Sequence, residues 1–319
     1  MLTREHFSLN TLQWIVVEIP EDHEAHGEIG WEFDRPSFLD RQESVLAGVK
    51  NAGFDRVMME VLRTQTLQAY RRRVDAAGLS VTPGYAQVAL PEDFGTELEP
   101  GSEQEFRWYD DIRRRAEETL FMGLDRVFIS PDMSRGRPRI EEAAAIGLDA
   151  DAARLDRVAN AVGRTAEVLK AEGVTAALHN HVGTWIETEQ EYDYVLNAIP
   201  SSLMTAGPDL GHLAWTGTDI VAWVSAHADR ISDLHIKDID VAIAEQTRQS
   251  RVPYYSHFRQ RFFLEPGQGQ LPLREALAEL PEGFDGTILV EVDKPSQDPY
   301  ESAKTSWAWV AENYPEGQS

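Results

Sequence analysis

The sequence predicts an α/β protein folded as a single (β/α)8 TIM barrel. Apolar, β-rich runs alternate with amphipathic helix-like segments along the 319 residues, a pattern typical of a parallel sheet. Eight such runs can be counted, and eight strand–helix units are the repeat of a closed barrel. A doubly wound open sheet is the alternative, but the first run is not followed by the Gly-x-Gly-x-x-Gly fingerprint that a dinucleotide-binding sheet carries.

The strands are recognised by their apolar residues and by the glycines that precede several of them. A glycine just past a helix end readily adopts the left-handed conformation that stops the helix, and four runs follow such a glycine: Gly53, Gly78, Gly123 and Gly173. The first run is LQWIVVEI. The eight predicted strands begin at Leu12, Phe54, Leu79, Leu124, Val174, Leu203, Ile231 and Thr287.

The helices are predicted from end signals and from periodicity. Thr188-Glu-Gln-Glu191 has the pattern of a capping box, and residues 151–171 place apolar side chains at a spacing near 3.6. No Pro-, Gly- or Ser-rich linker divides the chain. Residues 1–319 are therefore interpreted as one domain, with a long connection over residues 240–270 between the seventh and eighth strands.

Composition narrows the class of protein. Apolar residues make up 42% and charged residues 26% of the chain, which is typical of a globular protein. Lys and Arg number 30 against 54 Asp and Glu, a net charge of −24 that disfavours nucleic acid and anionic lipid as partners. No apolar run is long enough to span a membrane, no signal peptide is recognised, and cysteine is absent. A cytoplasmic protein is expected.

Metal-type ligands are concentrated where the last four predicted strands end, and this is the end of a barrel strand that carries catalytic groups. The four motifs are His179-Asn180-His181, Asp209-Leu-Gly-His212, His235-Ile-Lys237-Asp238 and Glu291-Val-Asp293.

Alternation along each strand predicts which of these side chains face the barrel interior. On the eighth strand Ile288 and Val290 are apolar and point outward, so Glu291 points inward. The same rule turns three more side chains toward the same rim: His179, Asp209 and His235. Because burying such groups without a cation is costly, we expect them to hold one divalent ion. Nitrogen and oxygen ligands suit Mn²⁺ as the first candidate, and also Co²⁺, Mg²⁺ or Zn²⁺.

Other side chains in these motifs are candidates for proton transfer. His181, His212 and Glu291 carry groups that can act as a base. Lys237 is predicted to donate to a developing oxyanion, or alternatively to neutralise Asp238.

Two residues outside the motifs are predicted to contact a substrate. Glu60 ends the second strand, and His257 lies in the long connection, where a lid is expected. The alternative for His257 is a solvated loop. His227 has a simpler explanation, since a histidine near a helix C-terminus is favoured by the helix dipole.

The motifs together resemble a known family. LHNHVGTWIET, PDLGHLAWTG, LHIKD, EPGQGQ and ILVEVD, in this order and spacing, are similar to the xylose isomerase-like barrel superfamily of sugar isomerases and epimerases, and in particular to its inosose dehydratase-like branch. The resemblance implies a metal held at the ends of strands five to eight by Asp209, His235, Glu291 and the strand-five residue. Many members have Glu at that last position, where this chain has His179.

The chemistry that the resemblance implies begins with a divalent ion that acidifies a carbon next to a ketone. A base then removes the proton to give an enediolate. Expulsion of a β-hydroxyl from it would make the protein a lyase of inosose dehydratase type acting on a keto-sugar or keto-polyol. Reprotonation would make it an isomerase or epimerase. The large subunit of a C-glycoside deglycosidase, which acts on 3-keto-C-glycosides with a small β-rich partner, is a third alternative.

Two alternatives come from other classes. A DNA-repair endonuclease would need more ligands and a basic groove, against which the charge argues. A non-catalytic sugar-binding barrel is the other. A homo-oligomer is expected, or a hetero-oligomer for a deglycosidase subunit.

Overall fold

Parallel strands close into a barrel in the computed structural model, which describes residues 1–15, 36–133 and 138–317. Two sheets, ordered β3-β2-β1-β11-β8 and β4-β5-β6-β7, are joined by parallel bridges between Ala206 and Ile231 and between Asp209 and His235. The strands are β1 Phe7–Leu9, β2 Arg56–Met58, β3 Ser80–Thr82, β4 Tyr85–Val88, β5 Arg126–Pro131, β6 Thr175–Leu178, β7 Met204–Ala206, β8 Leu234–Ile236, β9 Asp238–Ile239, β10 Phe263–Leu264 and β11 Ile288–Val290.

The predicted (β/α)8 barrel is confirmed. β3 and β4 follow each other closely in the chain and together occupy one barrel position. The described residues therefore supply eight positions: β1, β2, β3/β4, β5, β6, β7, β8 and β11. The helices are α1 Pro36–Ala52, α2 Leu67–Ala76, α3 Glu103–Trp108, α4 Asp110–Phe121, α5 Pro138–Glu141, α6 Ala152–Ala171, α7 Glu189–Ala198, α8 Leu210–Trp215, α9 Ile220–His227, α10 Val241–Ser250, α11 Leu273–Ala278 and α12 Pro299–Asn313. None of the described helices has the length and apolar character that a membrane crossing requires.

The start of the first strand was wrongly predicted at Leu12. The first strand is β1, and Leu12 lies in a 3-10 helix over Thr11–Trp14. The side chain of Asn10 caps this helix by accepting a hydrogen bond from the Leu12 amide. The remainder of the predicted run, residues 16–19, lies outside the described residues. β1 does not stand out as an apolar run because its middle residue, Ser8, is polar. The Ser8 side chain faces the interior, 2.8 Å from the Thr82 hydroxyl.

The helix ends follow the sequence signals. Gly53, Gly78, Gly123 and Gly173 all have positive φ. Thr188 and Glu191 form the predicted capping box at the start of α7, and Asp151 caps α6.

The long connection over residues 240–270 has regular structure of its own. It contains α10, a 3-10 helix over Tyr254–Arg259, and β10, which pairs antiparallel with β9. Its aromatic side chains pack with Trp215 of α8 in a second hydrophobic cluster beside the barrel core.

Candidate metal centre and adjoining cavity

The structure brings together the four side chains that strand alternation turns inward. His179 follows β6, Asp209 follows β7, His235 lies in β8 and Glu291 follows β11, so all four occupy the carboxyl-terminal rim of neighbouring strands. None is more than 4% exposed. Ligand atoms of His179, Asp209 and His235 lie within 4.8 Å of one another.

The hydrogen bonds around this cluster suit a bound cation. The Nδ1 atom of His179 lies 3.2 Å from the Gly207 carbonyl oxygen. Because a carbonyl only accepts, Nδ1 carries the proton and Nε2 keeps its lone pair. His235 Nε2 is buried and has no hydrogen-bond partner among the described residues, whereas Asp209 Oδ2 and His235 Nδ1 are buried beside Lys237 and Glu291. Buried polar atoms without partners are costly, and a divalent ion would satisfy them.

Glu291 completes the cluster and is held from two sides. Its Oε2 atom lies 3.2 Å from His235 Nδ1 and accepts a hydrogen bond from the Asn10 side chain. Its Oε1 atom lies 2.6 Å from Lys237 Nζ. The donor set is thus two imidazoles and two carboxylates, which suits Mn²⁺, Co²⁺ or Zn²⁺.

Lys237 is fully buried and its ammonium group faces three carboxylates. Nζ lies 2.6 Å from Glu291, 2.5 Å from Asp293 Oδ1 and 3.0 Å from Asp209 Oδ2. The alternative in which Lys237 neutralises Asp238 is therefore wrong. Neighbouring residues of a strand point to opposite faces, and Asp238 instead accepts backbone hydrogen bonds from Gly267, Gly269 and Leu271.

Burial and the Lys237 charge shift the pKa values of the neighbouring carboxyl groups in different directions. Burial raises the pKa of Asp209 and, more strongly, that of Asp293, although Lys237 opposes both shifts. Burial also disfavours the charged form of Glu291, but Lys237 and His235 outweigh it and hold its pKa well below the usual range. For Lys237, burial is outweighed by the three carboxylates, and its pKa stands well above normal. Glu291 and Lys237 are both charged at neutral pH.

His179, His181 and His212 are neutral at pH 7. Burial, followed by the neighbouring positive groups, lowers the pKa of His179 and His212 well below the usual value, and that of His181 to about 3. Neutral imidazole is the form that binds metal and accepts a proton. The Nδ1 atom of His181 lies 2.7 Å from the Val182 carbonyl oxygen and must donate there, so its Nε2 atom is the accepting nitrogen.

A second group of potential ligands lies behind the first. His181, His212 and Asp293 also bring ligand atoms within 4.8 Å of one another. The ring centroids of His181 and His212 are 3.8 Å apart, and His212 Nε2 is 3.1 Å from Lys237 Nζ. The lysine ammonium thus occupies the space beside His212 and Asp293.

A cavity of about 510 Å³ opens beside the cluster. His179, His181, His235 and Glu291 line it, whereas Asp209, His212 and Lys237 lie behind its wall. Glu60 also lines this cavity, as its predicted role requires. The remaining wall includes Asn10, Tyr85, Gln87, Trp108, Arg115 and Asp132.

His257 is placed differently from Glu60. It is not among the described residues that line the cavity, and its ring packs 4.0 Å from that of Trp215. The alternative of a solvated loop is wrong, since only 1% of His257 is exposed. Its Nδ1 atom lies 2.5 Å from the Tyr254 carbonyl oxygen, and burial lowers its pKa to about 4.

Sequence reasoning missed Asn10 and Tyr85, and it gave no role to Asp293 although it included that residue in a ligand motif. Asn10 directly follows β1. It was missed because the first strand was predicted to begin at Leu12. Asp293 stands two positions after Glu291, and alternation alone would have put both on one face. Tyr85 lines the cavity, with its ring 5.3 Å from that of His179. Its strand was predicted, but no polar motif marked it.

Comparison with known proteins agrees with this architecture. An inosose dehydratase of Clostridium beijerinckii is 30% identical over 156 residues, which are 49% of this chain and 50% of that protein. The chain spans about half the length of the curated relatives it matches.

Two solved structures superpose on nearly the whole chain. The IolI protein with a bound zinc atom has a TM-score of 0.61 at 13% identity, covering 97% of this chain and 99% of its own. D-allulose 3-epimerase from Methylomonas sp. has a TM-score of 0.63 at 14% identity, covering 98% of both chains. At these identities the likeness supports the fold. The profile of the xylose isomerase-like TIM barrel matches residues 46–313, and the chain belongs to this family.

Proposed function

We propose that the protein is a divalent-metal-dependent enzyme that removes a proton next to the carbonyl group of a keto-polyol or keto-sugar, with loss of water as the outcome. The observation that carries the proposal is that His179, Asp209, His235 and Glu291 bring their ligand atoms together at the edge of a cavity. His179, His235 and Glu291 line this cavity, and so does His181. The relatives named as inosose dehydratases favour a lyase over other chemistries of the family.

His179, Asp209, His235 and Glu291 are the residues that would hold the metal, with Mn²⁺ as the first candidate. When bound, the metal supplies a Lewis acid that makes the carbon beside a ketone more acidic. The Gly207 carbonyl fixes the His179 ring, and Asn10 fixes Glu291, so the ligands are oriented before the ion arrives.

His181 is the proposed proton acceptor. It lines the cavity, its Nδ1 proton is committed to the Val182 carbonyl, and its Nε2 lone pair is left to take a proton. Glu291 is the alternative acceptor, although its contacts with Lys237 and Asn10 occupy both of its oxygens.

Lys237 and His212 are proposed to act from behind the cavity wall. The ammonium group of Lys237 holds Asp209 and Glu291 in place and compensates their charge. His212 packs against the His181 ring and lies 3.1 Å from Lys237 Nζ through its Nε2 atom, so it holds the acceptor beside the buried network.

Proton exchange of an inosose in D2O, followed by ¹H NMR with Mn²⁺-loaded protein, tests the proposal. We expect the signal next to the carbonyl to disappear and a product lacking one water to accumulate. The variant His181→Gln should slow exchange by roughly 10²–10⁴-fold, the range for a general base, while His227→Gln, on the outside of the barrel, should not. Exchange that yields an epimer without loss of water would favour an isomerase or epimerase. An absence of exchange in metal-loaded protein, with inososes and keto-sugars alike, would contradict the proposal.

A further inference from the structure

The loop that carries His181 is closed by its own hydrogen bonds. The His181 amide donates to the Ile186 carbonyl, and the amide and hydroxyl of Thr184 both donate to the His181 carbonyl. These contacts make residues 181–187 one compact turn. The position of the His181 ring therefore depends on what fixes this turn as a whole.

Arg139 joins the turn to two other segments from a fully buried position. Only 1% of Arg139 is exposed. Its guanidinium donates to both carboxylate oxygens of Glu191, at 2.9 and 2.5 Å, to the Thr184 carbonyl at 2.9 Å and to the Leu148 carbonyl at 2.7 Å. One planar group with donors in fixed directions thus ties α7, the turn and the segment before α6.

Glu187 fastens the same turn from its other end. It is fully buried, and its carboxylate accepts hydrogen bonds from the amides of Gly183, Ala145 and Gly147 at 2.9, 3.2 and 2.7 Å. Ala145 has a φ of 62°, a conformation that costs energy for a residue with a Cβ atom and persists only where the surroundings impose it. Glu187 supplies that constraint.

We propose that Arg139 and Glu187 are positioning residues for His181, which hold the turn 181–187 against residues 138–148 so that the imidazole keeps its place in the cavity wall. The inference rests on the proposed function only where it takes His181 as the proton acceptor. Neither residue lines the cavity, so both act through the turn.

Energetics favour this interpretation over a purely stabilising role. A buried ion pair usually contributes no more to stability than well-packed apolar residues of similar volume. Its benefit is directional, because Arg139 donates to two backbone carbonyl groups and to the Glu191 carboxylate, and Glu187 accepts from three backbone amides. Displacement of a reacting group by about 1 Å can cost about 10²-fold in rate, so such a clamp affects turnover.

Arg139→Gln tests the inference, with Arg154→Gln as its matched control. Both arginines lie over the ring of Trp185, their Cζ atoms 4.8 and 3.9 Å from its centroid. The ion pairs of Arg154 are with Glu92 and Asp151, however, and not with the backbone of the turn. We expect Arg139→Gln to lower kcat for proton exchange of an inosose by about 10²-fold and to leave KM and metal content unchanged. Arg154→Gln should leave kcat within about twofold of the wild-type value.

A double-variant comparison separates positioning from loss of fold. In a His181→Ala background, Arg139→Gln should cause no further fall in kcat, because the group that it positions is gone. A full additional loss in that background would overturn the inference, as would wild-type kcat in Arg139→Gln. Should Arg139→Gln fail to fold, Glu187→Gln provides the same test with shape retained.

The imidazole NMR signals of His181, assigned by their loss in His181→Ala, give a readout that needs no activity. They should shift in Arg139→Gln and stay unchanged in Arg154→Gln. If wild-type protein exchanges no inosose proton, the proposed function fails while this shift still supports the positioning role. Unchanged His181 signals in Arg139→Gln would overturn the positioning role alone.

Discussion

Lys237 Nζ lies 3.0 Å from Asp209 Oδ2 in a fully buried pair that stands beside the predicted metal ligands. The same ammonium contacts Glu291 and Asp293. Burial raises the pKa of Asp209 and Asp293 in spite of this ammonium group, so one cation compensates the three carboxyl groups only in part. A divalent ion would complete the compensation.

Replacing this lysine should destabilise the metal-free protein strongly. Removing one partner of a buried ion pair typically costs about 3–5 kcal/mol, and Lys237→Met leaves the carboxylates without their cation. We expect a loss of this size in the free energy of urea unfolding in EDTA, partly restored by Mn²⁺. The exposed Lys304, paired with Glu301, offers the control Lys304→Met, with a change within about 0.5 kcal/mol. Wild-type stability of Lys237→Met in EDTA would contradict this account.

Asn10 should affect metal affinity although it is not a predicted ligand. Its side chain donates to Glu291, and outer partners of this kind typically change metal affinity by about 10–100-fold. Asn10→Ala should weaken Mn²⁺ binding in calorimetry by this factor. Gln13→Ala removes a neighbouring amide that donates to the Pro299 carbonyl and should leave affinity unchanged. Equal affinities in the two variants would show that Asn10 does not orient Glu291.

His179 is predicted to separate two reaction outcomes. Many members of the resembled family have glutamate at this position, and a second carboxylate there can return a proton to the substrate. His179→Glu should therefore reduce water loss and introduce some epimerisation, both measured by NMR of the products. His179→Gln, which adds no carboxylate, should reduce water loss without forming an epimer. An unchanged product ratio in His179→Glu would remove this residue from the explanation.

His227 lies outside the candidate site and makes the stability of the folded protein depend on pH. It ends α9, with Nδ1 2.8 Å from the Trp223 carbonyl oxygen and Nε2 3.2 Å from Asp193. The hydrogen bond with Asp193 raises the pKa of His227 above its usual value. A raised pKa in the folded state stabilises the protein fully below the unfolded value of about 6.5, and this stabilisation is lost as pH rises through the folded pKa.

The variant His227→Asn measures this contribution. Its Tm should fall furthest below that of the wild type near pH 5.5, and the difference should shrink by pH 8.5. Asp193→Asn should remove most of the same pH dependence. A Tm difference that grows toward pH 8.5 would mean that the sign of the linkage is wrong.

Much of the site follows from strand alternation, and its omissions have physical causes. Glu291 and His235 could be turned inward because their apolar neighbours face the helices. The carboxylate partners of Lys237 were missed because its long side chain reaches residues that follow two other strands, β7 and β11. The motif around Lys237 does not reveal these contacts. His257 was misjudged because its burial comes from packing against Trp215, a contact across the chain that local composition does not encode.

The most direct test of the central claim is the metal content of the purified protein, measured by mass spectrometry after Mn²⁺ loading and gel filtration. Wild-type protein should retain about one ion per chain, and both Asp209→Ala and His235→Ala should lose it. Asp219→Ala is the matched control, because Asp209 caps α8 and Asp219 caps α9 in the same way, but only Asp209 faces the cluster. Retention of the ion in folded Asp209→Ala and His235→Ala, or no ion in the wild type, would contradict the account.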